Sequence, residues 1–184
     1  MMILLGAGLF WGVGQVKNLI DPEVQWPRMQ KVLPFDERPE HVQMLAGMQM
    51  FGMENYTLMD FERGLQISVY YFDDNESSDA DDSRWTFFDP EKETTSSSMI
   101  NRDNERVGVI RLGSRDRKVM RFTQETLSFG SEEMKEQASG PCLAVDVTPE
   151  DSPGFLFVMF FEAGGEFEIP DEHVLSFFES FYLD

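Results

Sequence analysis

The residues best suited to chemistry in this chain are one histidine and four methionines within a short segment. Thioether sulfur is a soft ligand, and closely spaced methionines suit Cu(I) in a protein outside the cytoplasm. Methionine also fills irregular gaps in hydrophobic cores, because its side chain is flexible. We favour this second interpretation, so copper handling is the alternative function, and no resident metal or cofactor is predicted. The candidate ligands would be His41, Met44, Met48, Met50 and Met53.

A second group that could do chemistry is a run of bases in an acidic chain. There are 15 Lys and Arg against 34 Asp and Glu, a net charge of −19. This excess argues against nucleic acid as a partner. A local basic surface can instead dock an anionic ligand or a protein, although it can also be the solvated face of a hairpin. The candidate partner-binding residues are Arg111, Arg115, Arg117, Lys118 and Arg121.

The residue types that usually carry catalysis are scarce. The only imidazoles are His41 and His173, and no Gly-x-Ser-x-Gly motif accompanies them. Cys142 is the one cysteine, and it follows Pro141 at the start of an apolar run with no adjacent base to lower the pKa of its thiol. We interpret Cys142 as a small buried hydrophobic side chain and favour a non-enzymatic protein.

Residues 73–82 contain six acids and no base, a composition that could attract cations. An EF-hand loop beginning at Asp73 would place Ser78 where glycine is required and Arg84 where a bidentate glutamate is required. The segment is therefore interpreted as a solvated acidic loop.

The elements that must position these residues begin with a hairpin at residues 56–72. Its second half alternates apolar and polar side chains with the period of a half-buried strand. Residues 62–64 end in a glycine, which suits a tight connection. The apolar positions of this half are Leu65, Ile67, Val69 and Tyr71.

Two further strand pairs are predicted. The first joins residues 105–112 to residues 117–123, so the basic side chains should project together near its turn. The second joins residues 142–147 to residues 155–161, and the near-continuous apolar content of this pair indicates central, well-covered strands.

One helix start and one closing helix are predicted within the folded domain. Arg38, Pro39 and Glu40 have the composition of a helix start ahead of the methionine segment. The closing helix is clearer, because its apolar side chains recur with helical spacing and acids occupy its first turn. Its apolar stripe consists of Val174, Phe177, Phe178 and Phe181.

The N-terminal residues 1–16 are uncharged apart from the α-amino group and largely apolar. They are interpreted as the anchor helix of a single-pass transmembrane protein, although a buried N-terminal strand or helix is the alternative. Lys17, Arg28 and Lys31 follow the span and would draw the domain toward the cytoplasm, whereas further bases upstream of the span would give the extracytoplasmic domain that we expect. Residues 17–32 would form a tether and residues 33–184 a single domain. The predicted fold class is α+β: an antiparallel sheet of hairpins packed by a C-terminal amphipathic helix.

The order of these elements resembles that of a group of uncharacterised, membrane-anchored bacterial proteins. The resemblance rests on the anchor, then Leu33, Pro34 and Phe35, two Gly-Met pairs, three strand pairs and the closing Phe-Phe-x-Ser-Phe. The sheet with a closing helix is also similar to the Mog1/PsbP-like architecture. The resemblance implies a fold and no catalytic residue. The function expected from the sequence is a membrane-tethered binding or accessory module of the cell envelope with a protein partner.

Overall fold

A computed structural model describes residues 18–50, 52–73, 88, 101–125, 139–150, 152 and 154–183. Most of these residues belong to one antiparallel sheet of seven strands, flanked by short helices. This architecture is compatible with the α+β class. In chain order the elements are α1 (Pro22–Val32), β1 (Val42–Met50), β2 (Met53–Asp60), β3 (Leu65–Phe72), β4 (Asn101–Leu112), β5 (Arg115–Glu125), β6 (Gly140–Asp146), β7 (Phe155–Glu162) and α2 (Asp171–Phe178).

The C-terminal hairpin occupies the middle of the sheet. The spatial order of the strands is β1-β2-β3-β7-β6-β5-β4. β7 pairs with β3, and β6 pairs with β5, so β6 and β7 join the N-terminal meander to the β4–β5 hairpin. Every residue from Phe155 to Phe160 is buried, and most residues of β6 are buried as well. The predicted central position of this strand pair is confirmed.

The hairpin predicted at residues 56–72 is also confirmed. β2 pairs with β3 so that Tyr56 lies opposite Val69 and Leu58 opposite Ile67. Gly64 has a φ of 70°, the left-handed conformation that glycine adopts without steric cost. The alternation along β3 therefore places its apolar residues in the core.

The methionine segment forms a strand, and no helix begins at residues 38–40. Residues 42–50 form β1, which pairs with β2 along its length and has a bulge between Met44 and Ala46. Val42 and Met44 are buried and alternate with exposed residues. The prediction of a helix start at residues 38–40 is wrong, because pairing with β2 outweighs the local signal of the proline.

The segment predicted as a tether contributes a helix to the core. Asp21 caps α1, and its carboxylate accepts a hydrogen bond of 3.0 Å from the backbone N–H of Glu23. Trp26, Met29 and the adjacent Leu33 are buried. The two prolines of this segment had indicated a loop, but Pro22 occupies a first-turn position where no N–H is needed.

Both helices pack on the same face of the sheet. Phe177 and Phe178 of α2 meet Phe160 of β7 edge to face, with ring centroids 5.4 and 5.9 Å apart. Phe181 follows α2 and forms an isolated bridge with Phe35. The apolar stripe predicted for the closing helix is thus the one that is buried.

The opposite face of the sheet carries a second apolar cluster. Phe155 and Phe157 of β7 are stacked with centroids 5.1 Å apart, and Phe88 lies edge-on to both rings. Met120, Phe122, Cys142, Ala144 and Met159 complete the buried members of this cluster. The sheet is therefore buried on both faces at its centre.

In the part of the chain that the structure describes, no helix is long and apolar enough to cross a membrane. For the described residues, the prediction of a single-pass transmembrane helix is wrong. The predicted anchor, residues 1–16, and almost all of the acidic segment, residues 73–82, lie outside the described residues.

Candidate functional site

The predicted basic surface lies on the hairpin of β4 and β5, where acids accompany its charges. Nη1 of Arg111 lies 3.3 Å from Oδ1 of Asp116 beside the turn. Nη1 of Arg115 lies 3.0 Å from Oε1 of Glu150, and this ion pair links β5 to the β6–β7 connection. Lys118 is exposed further along β5. The turn therefore presents a surface of mixed charge, and its role as a docking surface stays a prediction.

Arg117 lies apart from this surface. Its side chain is largely buried, with 8% of its area exposed. Nη1 donates a hydrogen bond of 2.9 Å to the carbonyl of Thr148, and Nη2 donates one of 2.6 Å to the carbonyl of Leu183. The exposure expected for Arg117 is wrong, because this side chain points to the helix-covered face and holds the β6–β7 connection and the segment after α2 there.

Arg121 belongs to a network that joins the hairpin to the start of α2. Its guanidinium bonds Asp171 in the first turn of α2 and lies 3.7 Å from Glu168. Arg106 of β4 also bonds Glu168. The hydrogen bond from Arg106 and the positive charges of both arginines lower the pKa of the Glu168 carboxyl. The network fixes the segment that leads into the closing helix.

A cleft of 590 Å³ opens beside this network. Phe122, Cys142 and Phe167 give it an apolar wall, and Arg106 and Glu168 lie on its polar side. None of the described residues that line it is a histidine. The cleft combines aromatic surface with paired charges.

Cys142 is the one thiol among the described residues that line the cleft. Burial raises the pKa of its thiol to about 12. The thiol therefore stays protonated near neutral pH, where the thiolate would be the reactive form. Within the described residues, no group of three or more His, Cys, Asp and Glu side chains could hold a metal ion.

The fold separates the candidate copper ligands. Met50 lies directly opposite Met53, and Met48 lies two residues along the same face of β1. Met44 is buried in the helix-covered core, and His41 lies 3.5 Å from Glu62 before β1 begins. Copper handling stays a prediction. Of the five candidate ligands, only Met48, Met50 and Met53 lie on one surface.

Two strands form the edges of the described sheet, and they differ in chemistry. β4 carries five charged side chains, whereas β1 carries none and contains no proline. Natural sheets usually protect an edge with charges, proline or bulges. Among the described residues, β1 has one bulge and no other feature that protects its edge. The charged residues of β4 are Arg102, Asp103, Glu105, Arg106 and Arg111.

Apolar side chains are exposed along β1. Leu45 is 44% exposed, Met48 39% and Met50 47%. Within the described part of the chain, residues 43–50 find backbone partners in β2 alone. The outer side of β1 thus combines open hydrogen-bonding groups with exposed apolar side chains, a combination typical of binding edges.

Acidic side chains lie at both ends of β1. Glu40 precedes the strand, and Glu62 lies beside its first residues through the contact with His41. At the other end, the side-chain amide of Gln49 donates a hydrogen bond of 3.0 Å to Glu54, and the hydroxyl of Tyr56 donates to the same carboxylate. The uncharged edge is therefore flanked by negative charge.

No family model matches the chain, and neither a curated protein nor a solved structure shows a significant match. The resemblance to the Mog1/PsbP-like architecture stays a prediction.

Sequence reasoning missed β1 as an edge. A signal was present, because residues 42–50 contain no charge in a chain where 27% of residues are charged. The alternation of Val42 and Met44 with His41 and Gln43 ends at Leu45, which lies in the bulge, so the period of a strand is interrupted. The pairing order that makes β1 an edge is set by long-range contacts.

Proposed function

We propose that this protein is a non-enzymatic binding module that recognises another protein, with β1 as its principal contact surface. The observation that carries the proposal is the exposure of Leu45, Met48 and Met50 along an uncharged edge strand of a strongly acidic chain. Met48 and Met50 share one face of β1, and a contiguous exposed apolar surface usually marks an interaction site.

The chemistry of the cleft supports binding rather than catalysis. Its cysteine is held in the unreactive thiol form by burial, and its arginines are paired with carboxylates. Such ion pairs position a loop and a helix in this fold. The extracytoplasmic location predicted from the sequence is a separate matter that this function does not require.

The proposal is tested with paired variants of the two edges. Met48→Lys with Met50→Lys places charges on β1, whereas Val107→Lys with Val109→Lys places the same charges on exposed positions of β4. The unchanged protein should recover a discrete partner from cells that express it, and the purified pair should bind at a fixed stoichiometry. The β1 variant should lose this complex, and the β4 variant should retain it.

The opposite result would be equal recovery by the unchanged protein and the β1 variant. Circular dichroism and thermal melting show whether the variants remain folded. We expect little change in either, since both pairs of substitutions replace exposed side chains.

A further inference from the structure

We infer that β1 captures its partner by strand addition, and that the partner supplies an extended segment with alternating apolar residues and basic flanks. This inference rests on the proposed binding function and specifies the chemistry of the partner. It depends on the backbone of β1, the side chains on one of its faces and the charges at its ends.

The backbone of β1 can accept one more strand. β1 has nine residues, about 30 Å of strand at about 3.4 Å per residue. Its inner side pairs with β2, and residues 43–50 have no other backbone partner within the described chain. Strand N–H and C=O groups point alternately to both sides, so an added strand would satisfy the outer set.

The side chains of one face continue an apolar row across the sheet. Met50 lies opposite Met53, Met53 opposite Phe72, and Phe72 opposite Phe155. A partner residue opposite Met50 would extend this row to a fifth strand. Directly opposite residues have Cβ atoms about 5 Å apart, which is within contact distance of an apolar side chain. The partner should therefore carry apolar residues at every second position.

The other face of β1 is occupied by α1. Gln25 of α1 lies so close to Gly47 that a Cβ there would fall 2.2 Å from its Oε1. An added strand therefore has more room for large side chains on the face that carries Met48 and Met50. This asymmetry favours a segment with large apolar residues on one face and small or polar residues on the other.

The charges at the ends of β1 favour basic flanks. Glu40 and Glu62 lie at one end and Glu54 at the other, in a chain of net charge −19. Complementary charge raises the association rate and selects among partners. Two copies of this chain paired antiparallel through β1 would bring the acidic end of each beside the acidic end of the other. The occupant is therefore a different, basic-flanked segment.

The test uses the full-length protein and a synthetic peptide, Lys-Lys-Val-Thr-Val-Thr-Val-Thr-Val-Lys-Lys. Fluorescence anisotropy measures its Kd for the unchanged protein, for Met48→Lys with Met50→Lys, and for the control Val107→Lys with Val109→Lys. The unchanged protein and the control should bind alike, and the β1 variant should bind at least about tenfold more weakly, the loss expected when one apolar contact or more is removed.

Backbone recognition is tested with two N-methylated peptides of the same sequence. One carries methyl groups on the valine amides, and the other carries them on the threonine amides. Successive amides of a strand face opposite edges, so strand addition predicts that one pattern is tolerated and the other weakens binding at least about tenfold. Hydrogen exchange should show slower exchange in residues 43–50 when the peptide is bound.

Four results would overturn the inference. Equal effects of the two methylation patterns would show that side chains, rather than the strand edge, are recognised. Equal affinity for a peptide with glutamates in place of the flanking lysines would show that basic flanks are not recognised. If neither peptide binds, β1 does not capture a segment of this kind. Dimerisation of this chain that the β1 substitutions abolish would assign the edge to a second copy.

These results are distinguishable from failure of the proposed function. Loss of the cellular partner in the β1 variant would uphold β1 as the contact surface even if the peptide does not bind. Retention of that partner by the variant would contradict the proposed function itself.

Discussion

Gln25 of α1 lies directly over Gly47 of β1. A Cβ at Gly47 would fall 2.2 Å from Oε1 of Gln25 and 2.9 Å from Cδ1 of Tyr56. Gln25 is itself buried, and its Nε2 donates a hydrogen bond of 2.5 Å to the carbonyl of Asn18. The contact seats the helix on the strand that we propose as the binding edge.

Gly47→Ala should destabilise the protein by about 1–3 kcal/mol, because the added methyl group overpacks a buried contact. Denaturant unfolding measures the change. Adding Gln25→Ala should recover part of the loss by removing the side chain that the methyl group displaces.

Gly108→Ala on β4 is the matched control. Its Cβ would meet Val119 at 3.4 Å, an ordinary contact distance, so the stability should change little. Equal stability of the Gly47 and Gly108 variants would show that α1 is not held closely on β1.

Arg117→Met should cost about 1.5–3 kcal/mol, the usual contribution of hydrogen bonds made by a charged group. The substitution keeps much of the apolar stem and removes the donors to Thr148 and Leu183. Arg111→Met is the control, since Arg111 is an exposed side chain whose ion pair should contribute under about 1 kcal/mol. Indistinguishable unfolding curves for the two variants would contradict the anchoring role of Arg117.

The two arginines also show where sequence reasoning stops. Arg111 and Arg117 have the same side chain and lie in the same predicted hairpin. Strand alternation can separate their faces, but only the packing of β5 against the β6–β7 connection and residue 183 decides that Arg117 is buried. The hairpins and the closing helix could be predicted because their patterns are local.

The same limit explains the missed edge. The sequence of β1 is apolar enough for a core helix or a buried strand, and local pattern does not say which strand will lie at the rim. That position follows from the insertion of β6 and β7 between β3 and β5. Likewise, Pro27 argues against a helix when only the sequence is considered, yet α1 contains it. The burial of Trp26 and Met29 in the core stabilises this helix.

Phe178→Ala should destabilise the protein by about 3–5 kcal/mol, since it leaves a cavity where a buried ring meets Phe160 and Phe177. Glu179→Ala, on the exposed side of the same segment, should have little effect. Thermal melting compares the two variants. Similar melting temperatures would show that α2 does not pack through the face described here.

Glu168→Gln should reduce stability near neutral pH and have no effect in acid. The pKa of Glu168 is lowered in the folded protein, so its contribution is present above its ordinary pKa of 4.5 and is lost as the pH falls through the lower value. Urea unfolding at pH 7 and at about pH 3 measures this difference. Glu166→Gln is the neighbouring control, and a difference for Glu168→Gln that persists or grows in acid would contradict the ion pairs with Arg106 and Arg121.

We propose β1 as the surface on which another protein docks. The most direct measurement places a photoreactive phenylalanine analogue at residue 48 in one form of the protein and at residue 109 in another. Both positions are exposed, on β1 and β4 respectively. After irradiation in cells that express the protein, residue 48 should cross-link to a discrete partner and residue 109 should not. Cross-linking of that partner through residue 109, with none through residue 48, would contradict the account.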